Sequence, residues 1–238
     1  MLRLGDLELG TMPRIITAVT DRDLADTAWA ARSDAIELRV DQCRDLSVAA
    51  VVATSDALRR LGKPLLATVR WSAEGGSGQL TDGQRRALYE AVVTRADGLD
   101  VELRSPLCDE VVALARRHGR LAIASAHFFD TTPPDPELRD LLARGAGRGD
   151  VVKIAAAPNQ PGDVARLVDL LRIPGPPRII IGMGAEGAAT RVFFPLLDSL
   201  LTYSFAGAPT APGQLALDRL YDALRAYSPA FASTHTEF

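Results

Sequence analysis

The chain has 238 residues, 47% of them hydrophobic, which is enough for one sizeable core and near the length typical of an eight-fold βα barrel. A formal net charge of −3 and an isoelectric point near 5.7 argue against nucleic acid as a main partner, because such binding leaves a basic footprint. Two cysteines, Cys43 and Cys108, are too few for a disulfide framework or a four-cysteine zinc site, and the histidines are too scattered for a metal site.

The opening MLRLGDLELG has no apolar run of signal-peptide length. The longest charge-free run, Ser199–Leu217, carries prolines and glycines that make it a poor membrane span. A cytoplasmic protein that stays out of the membrane is expected. Leu2–Leu9, with Gly5-Asp6 at its centre, predicts a small hairpin placed to plug a barrel floor. Strands are then predicted at Arg14–Val19, Ala35–Val40, Leu65–Arg70, Gly98–Leu103, Leu121–Ser125, Asp150–Ala155, Arg178–Gly182 and Leu200–Phe205, each followed by a helical stretch. Thr81-x-x-Gln84 is a capping box. Ser105-Pro106 reads as a cap before a first-turn proline, in a helix ending at His118-Gly119. Eight evenly spaced units predict an α/β fold, a (β/α)8 TIM barrel with a short N-terminal β-hairpin. The barrel spans residues 1–238 as a single domain, with a loose tail from Ser228 onward.

Strands of such a barrel are covered outside and packed inside, so charges within them need a reason. In Ile36-Glu37-Leu38-Arg39-Val40-Asp41 the apolar residues share one face and the charged ones the other. The apolar face should meet the helices, which turns Glu37, Arg39 and Asp41 inward. Asp100 and Glu102 share a face of the fourth strand. Arg70, His127 and Lys153 lie at or near the C-terminal ends of the third, fifth and sixth, where barrel active sites form. This charged mouth suits a polar, anionic small molecule; internal ion pairing that merely holds the barrel is the alternative.

Of the 27 basic residues only Lys63 and Lys153 are lysines. Lys153 sits in an apolar strand, where desolvation lowers an amine's pKa and favours the neutral form that attacks carbonyls. The competing reading is a lysine that pairs with Glu102 or Asp100 and does no chemistry. Three loops complete the mouth. Trp71–Gly78 is Gly-rich and carries Glu74. Gly182–Gly187 follows the seventh strand, a common phosphate site in barrels, with Arg191 as another anion ligand just beyond it. Ala208–Gln214 reads as a proline-restrained lid.

Taken together these residues resemble the type I 3-dehydroquinate dehydratase family over nearly the whole chain. The landmarks in order are Glu37–Asp41, Thr68-Val69-Arg70 leading to Glu74-Gly75-Gly76, and Ser125-x-His127-x-Phe129. Asp150–Ala155, Met183-Gly184-x-x-Gly187 leading to Arg191, and Ala211-Pro212-Gly213-Gln214 follow. The resemblance implies conversion of 3-dehydroquinate to 3-dehydroshikimate in the shikimate pathway, with no metal and no cofactor. It implies that Lys153 forms the Schiff base, that His127 moves the protons, and that Glu74 orients His127, with Glu102 a second carboxylate nearby. It assigns Glu37, Arg39 and Arg70 to the ring hydroxyls, assigns Arg191, Thr210 and Gln214 to the substrate carboxylate, and suggests a homodimer. That assignment displaces the phosphate reading of the Gly184–Gly187 loop.

The chain departs from the family pattern at Ala18, Ala126, Thr190, Asp198 and Thr210, none of which removes the Lys–His pair. A class I aldolase would share Lys153 but need no His127 and would more often use a phosphate loop. A non-catalytic metabolite-binding barrel would bind without turnover.

Overall fold

A computed structural model describes residues 1–235; the last three residues of the expected tail lie outside the described residues. The opening hairpin is present as β1 (Arg3–Leu4) and β2 (Leu7–Glu8), turned by Gly5 at φ 57°. The barrel strands are β3 (Ile15–Val19), β4 (Ala35–Arg39), β5 (Leu65–Thr68) and β6 (Gly98–Glu102). They continue as β7 (Leu121–Phe128), β8 (Val151–Ala156), β9 (Arg178–Gly182) and β10 (Thr202–Phe205). A two-residue strand that the sequence pattern did not reveal, β11 (Leu215–Ala216), pairs with β10. The helices are α1 (Val48–Arg59), α2 (Asp82–Val92), α3 (Cys108–Arg117), α4 (Asp135–Ala146), α5 (Asp163–Arg172), α6 (Gly184–Gly187), α7 (Thr190–Phe193), α8 (Leu217–Tyr227) and α9 (Pro229–Thr234).

Among the described residues one parallel sheet runs β11-β10-β3-β4-β5-β6-β7-β8-β9 and curls into a TIM-like barrel. The seam between β9 and β10 carries no ladder. Leu200 N–H to Arg178 C=O at 3.1 Å crosses it, the Ser199 hydroxyl bonds the N–H and C=O of Ile180, and Gly184 N–H to Pro212 C=O at 3.3 Å ties the loops above. Strand β10, four residues long and preceded by a left-handed turn at Asp198 (φ 71°), pairs with β3 on one edge, and on the other its upper end pairs with β11, Ser204 beside Leu215 and Phe205 beside Ala216.

Alternation along the strands sorts the core as expected. Ile36 and Leu38 of β4, and Val152 and Ile154 of β8, face outward against residues such as Val51, Leu58 and Leu141 of the surrounding helices. Inside, the lower half is apolar: Leu4 and Leu9 of the hairpin segment pack with Ile16, Leu66, Ile123, Val151, Ile179 and Leu201. The hairpin therefore closes the floor. Gly98 has no room for a Cβ beside Leu4, so the plug sits directly on β6.

Several local expectations change. No α-helix follows β3; the 3-10 turns Asp21–Leu24 and Ala28–Arg32 take its place, the first closed by a Thr20/Asp23 capping box. Helix α3 starts at Cys108 rather than at Pro106, because the Ser105 hydroxyl accepts from Leu107 N–H and from buried Arg85 instead of capping deeper in the helix. The tail expected to be loose from Ser228 holds helix α9 instead. Ser228 caps it through Phe231 N–H, and the Phe231 ring is fully buried against Tyr221, Leu220 and Leu224. Burying an aromatic ring outweighs the entropy of ordering a short polar segment. Among the described residues no helix is long and apolar enough to cross a membrane.

Candidate active site

Above the apolar floor the barrel interior becomes charged. Glu37, Asp100, Lys153 and Tyr203 come from β4, β6, β8 and β10, every other strand of the sheet, which is how side-chain layers form inside such barrels. The Lys153 Nζ meets all three partners. It lies 3.0 Å from Asp100 Oδ2, 4.0 Å from Glu37 Oε1 and 4.0 Å from the centre of the Tyr203 ring. The pairing reading of Lys153 is thus geometrically real, and Asp100 is the partner. Yet the same Lys153 lines a cavity of about 40 Å³ that opens toward the C-terminal ends of the strands.

Each charge in this interior has a counterpart. Arg70 Nη1 bonds Glu102 at 2.8 Å, Asp100 at 3.1 Å and Ser125 Oγ at 2.9 Å. Arg85, fully buried on α2, grips the other oxygen of Glu102 at 2.6 Å. Arg39 holds Asp41 through two bonds of 2.9 and 3.0 Å. Four cations (Arg39, Arg70, Arg85, Lys153) thus face four carboxylates (Glu37, Asp41, Asp100, Glu102). The flanking cations overcome burial and hold the Asp100 carboxyl far below the usual carboxylate range.

His127 stands near the top of β7, which outruns its neighbour: β6 ends at Glu102, paired with Ser125. The His127 N–H therefore has no strand beside it. Glu74 takes that place, accepting from His127 N–H at 2.7 Å and lying 3.2 Å from its Nδ1, both at Oε2. The loop can turn Glu74 inward because Gly75 is left-handed (φ 82°) and packs under Phe129, and because a Cβ at Gly76 would overlap the Arg70 carbonyl. A carboxylate only accepts, so Nδ1 carries the proton and Nε2 keeps its lone pair. Burial and the Arg70, Lys153 and Arg39 charges push the His127 pKa well below 6.5, against the opposing pull of Asp100, so the ring is neutral at neutral pH.

Arg191 differs from the other interior arginines. It is 3% exposed and bonds only carbonyls, Tyr203 C=O at 3.4 Å and Pro212 C=O at 3.0 Å. Among the described residues no carboxylate pairs with it, its Nε is buried without a partner, and burial pushes its pKa down to about 10. Above it the lid is fastened. Gln214 Oε1 accepts from Thr210 N–H and Ala211 N–H, and Thr210 C=O accepts from Arg39. Gly213, left-handed at φ 71°, packs against Gly184 with no space for a side chain.

All nine residues singled out from the sequence, Glu37, Arg39, Arg70, Glu74, His127, Lys153, Arg191, Thr210 and Gln214, line this one cavity. Glu102 does not line it; it is held by the two buried arginines. Three contributors were missed. Tyr203 was legible from its inward position in β10. Arg85 falls three and four residues before Leu88 and Tyr89 on the buried face of α2, a signal that helical periodicity contains. Arg104, which bonds Glu74 at 2.8 Å, sits in a loop and left no signal.

A buried amine, a neutral carboxylate-held imidazole and a buried arginine without a carboxylate partner among the described residues line one cavity of a TIM-like barrel, the groups that imine chemistry on an anionic carbonyl compound would require. Comparison with known proteins is more specific. The profile of type I 3-dehydroquinase matches residues 15–229, and the chain belongs to that family. The 3-dehydroquinate dehydratase of Methanocella arvoryzae is 33% identical over 213 residues, covering 90% of this chain and 96% of that protein. The crystal structure of the Geobacillus kaustophilus 3-dehydroquinate dehydratase superposes with TM-score 0.87 at 27% identity, covering 99% of this chain and 97% of that one. A type I enzyme from Clostridium difficile, described with covalent modified comenic acid, gives 0.84 at 26% identity, covering 98% of both chains.

Proposed function

We propose that this protein dehydrates 3-dehydroquinate to 3-dehydroshikimate, a shikimate-pathway step, through an imine on Lys153. The observation that carries this reading is the placement of the Lys153 amine and the His127 ring in one cavity, with Arg191 as its unpaired anion ligand.

The Lys153 ammonium gives one proton to His127, the freed amine attacks the C3 ketone, and His127 returns the proton as the adduct's hydroxyl leaves as water, giving an iminium. Its positive charge takes the place of the ammonium charge beside Asp100, so the interior charge balance is kept. The iminium acidifies C2–H. His127 Nε2 removes that proton, and the electron pair moves into an enamine. Collapse of the enamine expels the C1 hydroxyl, which leaves as water with the proton returned by His127. A second water hydrolyses the product iminium and frees Lys153. Glu74 holds the His127 tautomer, Arg191 anchors the substrate carboxylate with Thr210 and Gln214 above it, and Glu37, Arg39 and Arg70 meet the ring hydroxyls. The iminium itself is the electron sink, so the chemistry calls for no resident metal or cofactor. The homodimer that the family resemblance suggests belongs to the same proposal and is checked by light scattering.

Borohydride reduction in the presence of 3-dehydroquinate, followed by peptide mass mapping, tests the central step. A reduced adduct on Lys153 is expected. An adduct on Lys63, or none in an active enzyme, overturns the mechanism.

A further inference from the structure

The edge of β7 above Ser125 is completed by side chains instead of a strand. Glu74 accepts from the His127 N–H, and Arg104 Nη2 donates to the His127 C=O at 2.9 Å. The two are joined to each other, Arg104 Nε to Glu74 Oε1 at 2.8 Å. An ion pair thus engages both backbone groups of one residue, His127, as a neighbouring parallel strand would. Arg104 is held at the rim by the Phe128 ring, 4.5 Å from its guanidinium carbon to the ring centre. It does not line the cavity. We propose that Arg104 is the positioning residue of the Glu74–His127 pair: it keeps the Glu74 carboxylate an acceptor, and so sets the lower pH limit at which His127 holds its Nδ1–H tautomer.

The charges that face Glu74 are few. Its carboxylate is 1% exposed, and Arg104 is the one cation bonded to it among the described residues. The His127 N–H also favours the ionised form, while Glu102 opposes it. Burial prevails, and the Glu74 pKa stands above its ordinary 4.5 even with Arg104 in place. Around His127, burial and the Arg70, Lys153 and Arg39 charges disfavour the imidazolium against the opposing pull of Asp100, so the ring itself stays neutral. If Glu74 protonates, its oxygen ceases to demand an Nδ1–H donor. The imidazole is then free to carry its proton on Nε2, where it cannot act as a base toward substrate.

The inference rests on the proposed role of His127, but its test does not require turnover. Nitrogen-resolved NMR of the His127 ring, followed against pH in the free protein, reports the tautomer directly. In Arg104→Met the pH at which the tautomer changes should rise by about one unit or more, since an opposing charge in contact lowers a carboxyl by roughly one to three units. Arg104→Lys, which keeps the charge, should return most of that shift. An inflection unmoved in Arg104→Met, or moved equally in both variants, overturns the proposal, because a packing role would not distinguish methionine from lysine. Borohydride trapping on the wild type separates the two questions. Absence of a Lys153 adduct sinks the dehydratase mechanism; an unmoved tautomer transition sinks only the role of Arg104.

Discussion

Arg191→Met replaces the one cavity-lining arginine without a carboxylate partner among the described residues by an apolar chain of similar length. Burial lowers the Arg191 guanidinium pKa from its ordinary value to about 10. At about 1.4 kcal/mol per pH unit, the folded protein carries this charge at a standing cost of roughly 3 kcal/mol. A bound carboxylate recovers that cost and adds a two-pronged charge-assisted bond. Methionine removes both the cost and the anchor. It also strands the carbonyls of Tyr203 and Pro212, at about 1 kcal/mol each. The apo protein should therefore melt within a few degrees of wild type or above it. In steady-state assays kcat/KM for 3-dehydroquinate should fall by about 2–3 kcal/mol, roughly 30- to 150-fold, mostly through KM. Borohydride trapping at saturating substrate should still label Lys153. A loss of kcat/KM under about 1 kcal/mol, or a large drop in melting temperature, refutes the assignment of Arg191 as a substrate anchor kept at the expense of stability.

His127→Ala should lose about 10²- to 10⁴-fold in turnover while the borohydride adduct on Lys153 still forms; near-normal turnover removes His127 as the base. Because the folded His127 pKa lies below the unfolded 6.5, the unfolded chain binds the extra proton as pH falls through 6.5, and stability is lost there. His127→Asn should flatten that part of the urea stability profile, and an unchanged slope would contradict the shift. His235 works in the opposite sense, since Asp34 raises its pKa and its contribution is present at low pH and lost as pH rises, so only the difference between variant and wild type isolates His127. Arg85→Met should cost about 3–5 kcal/mol in urea unfolding by stranding Glu102, and adding Glu102→Gln should restore part of it; strictly additive losses would show that the two do not act as a pair. Phe231→Ala should cost about 3–5 kcal/mol, and a loss below about 1 kcal/mol would mean that the terminal helix is not part of the core.

Strand positions are legible in the sequence because alternation survives in the charged strands: Ile36 and Leu38 could only face helices, so Glu37 and Arg39 could only face inward. Glu37, Arg39, Arg70, His127 and Lys153 are legible for the same reason, as charges in or at the ends of strands, whereas Glu74, Thr210 and Gln214 in loops and Arg191 on α7 took their roles from the family resemblance. What escaped follows from tertiary context. Nothing local says that Thr20 to Arg32 forms 3-10 turns where other units have helices, since the segment Asp21–Asp26 is as polar as a helix start. The tail was misjudged because Ser228 onward is short and mixed, while the burial of Phe231 depends on a groove formed by α8 and β3. Arg104 is illegible in principle. Its role comes from β7 running past β6, a difference in strand length that neither strand encodes alone.

The charged interior presents an energetic question, because buried ion pairs seldom add stability over apolar packing. The arrangement answers it by separating two kinds of arginine. Arg70 and Arg85 share Glu102, and Arg70 shares Asp100 with Lys153, so the level around the amine is neutral as a whole and, in the proposed mechanism, would stay neutral when an ammonium becomes an iminium. Little reorganisation is then needed as the covalent intermediate forms. Arg191 stands outside this balance, on α7 under the lid, with carbonyls as its only bonded partners among the described residues. An anion entering the cavity completes the charge count there and nowhere else. In the proposed function, a substrate whose carboxylate lies at one end and whose ketone lies at the other would be drawn into a single orientation, with its ketone against Lys153. The same electrostatic pattern that costs the empty barrel stability would thus select both the substrate's charge and its direction of entry.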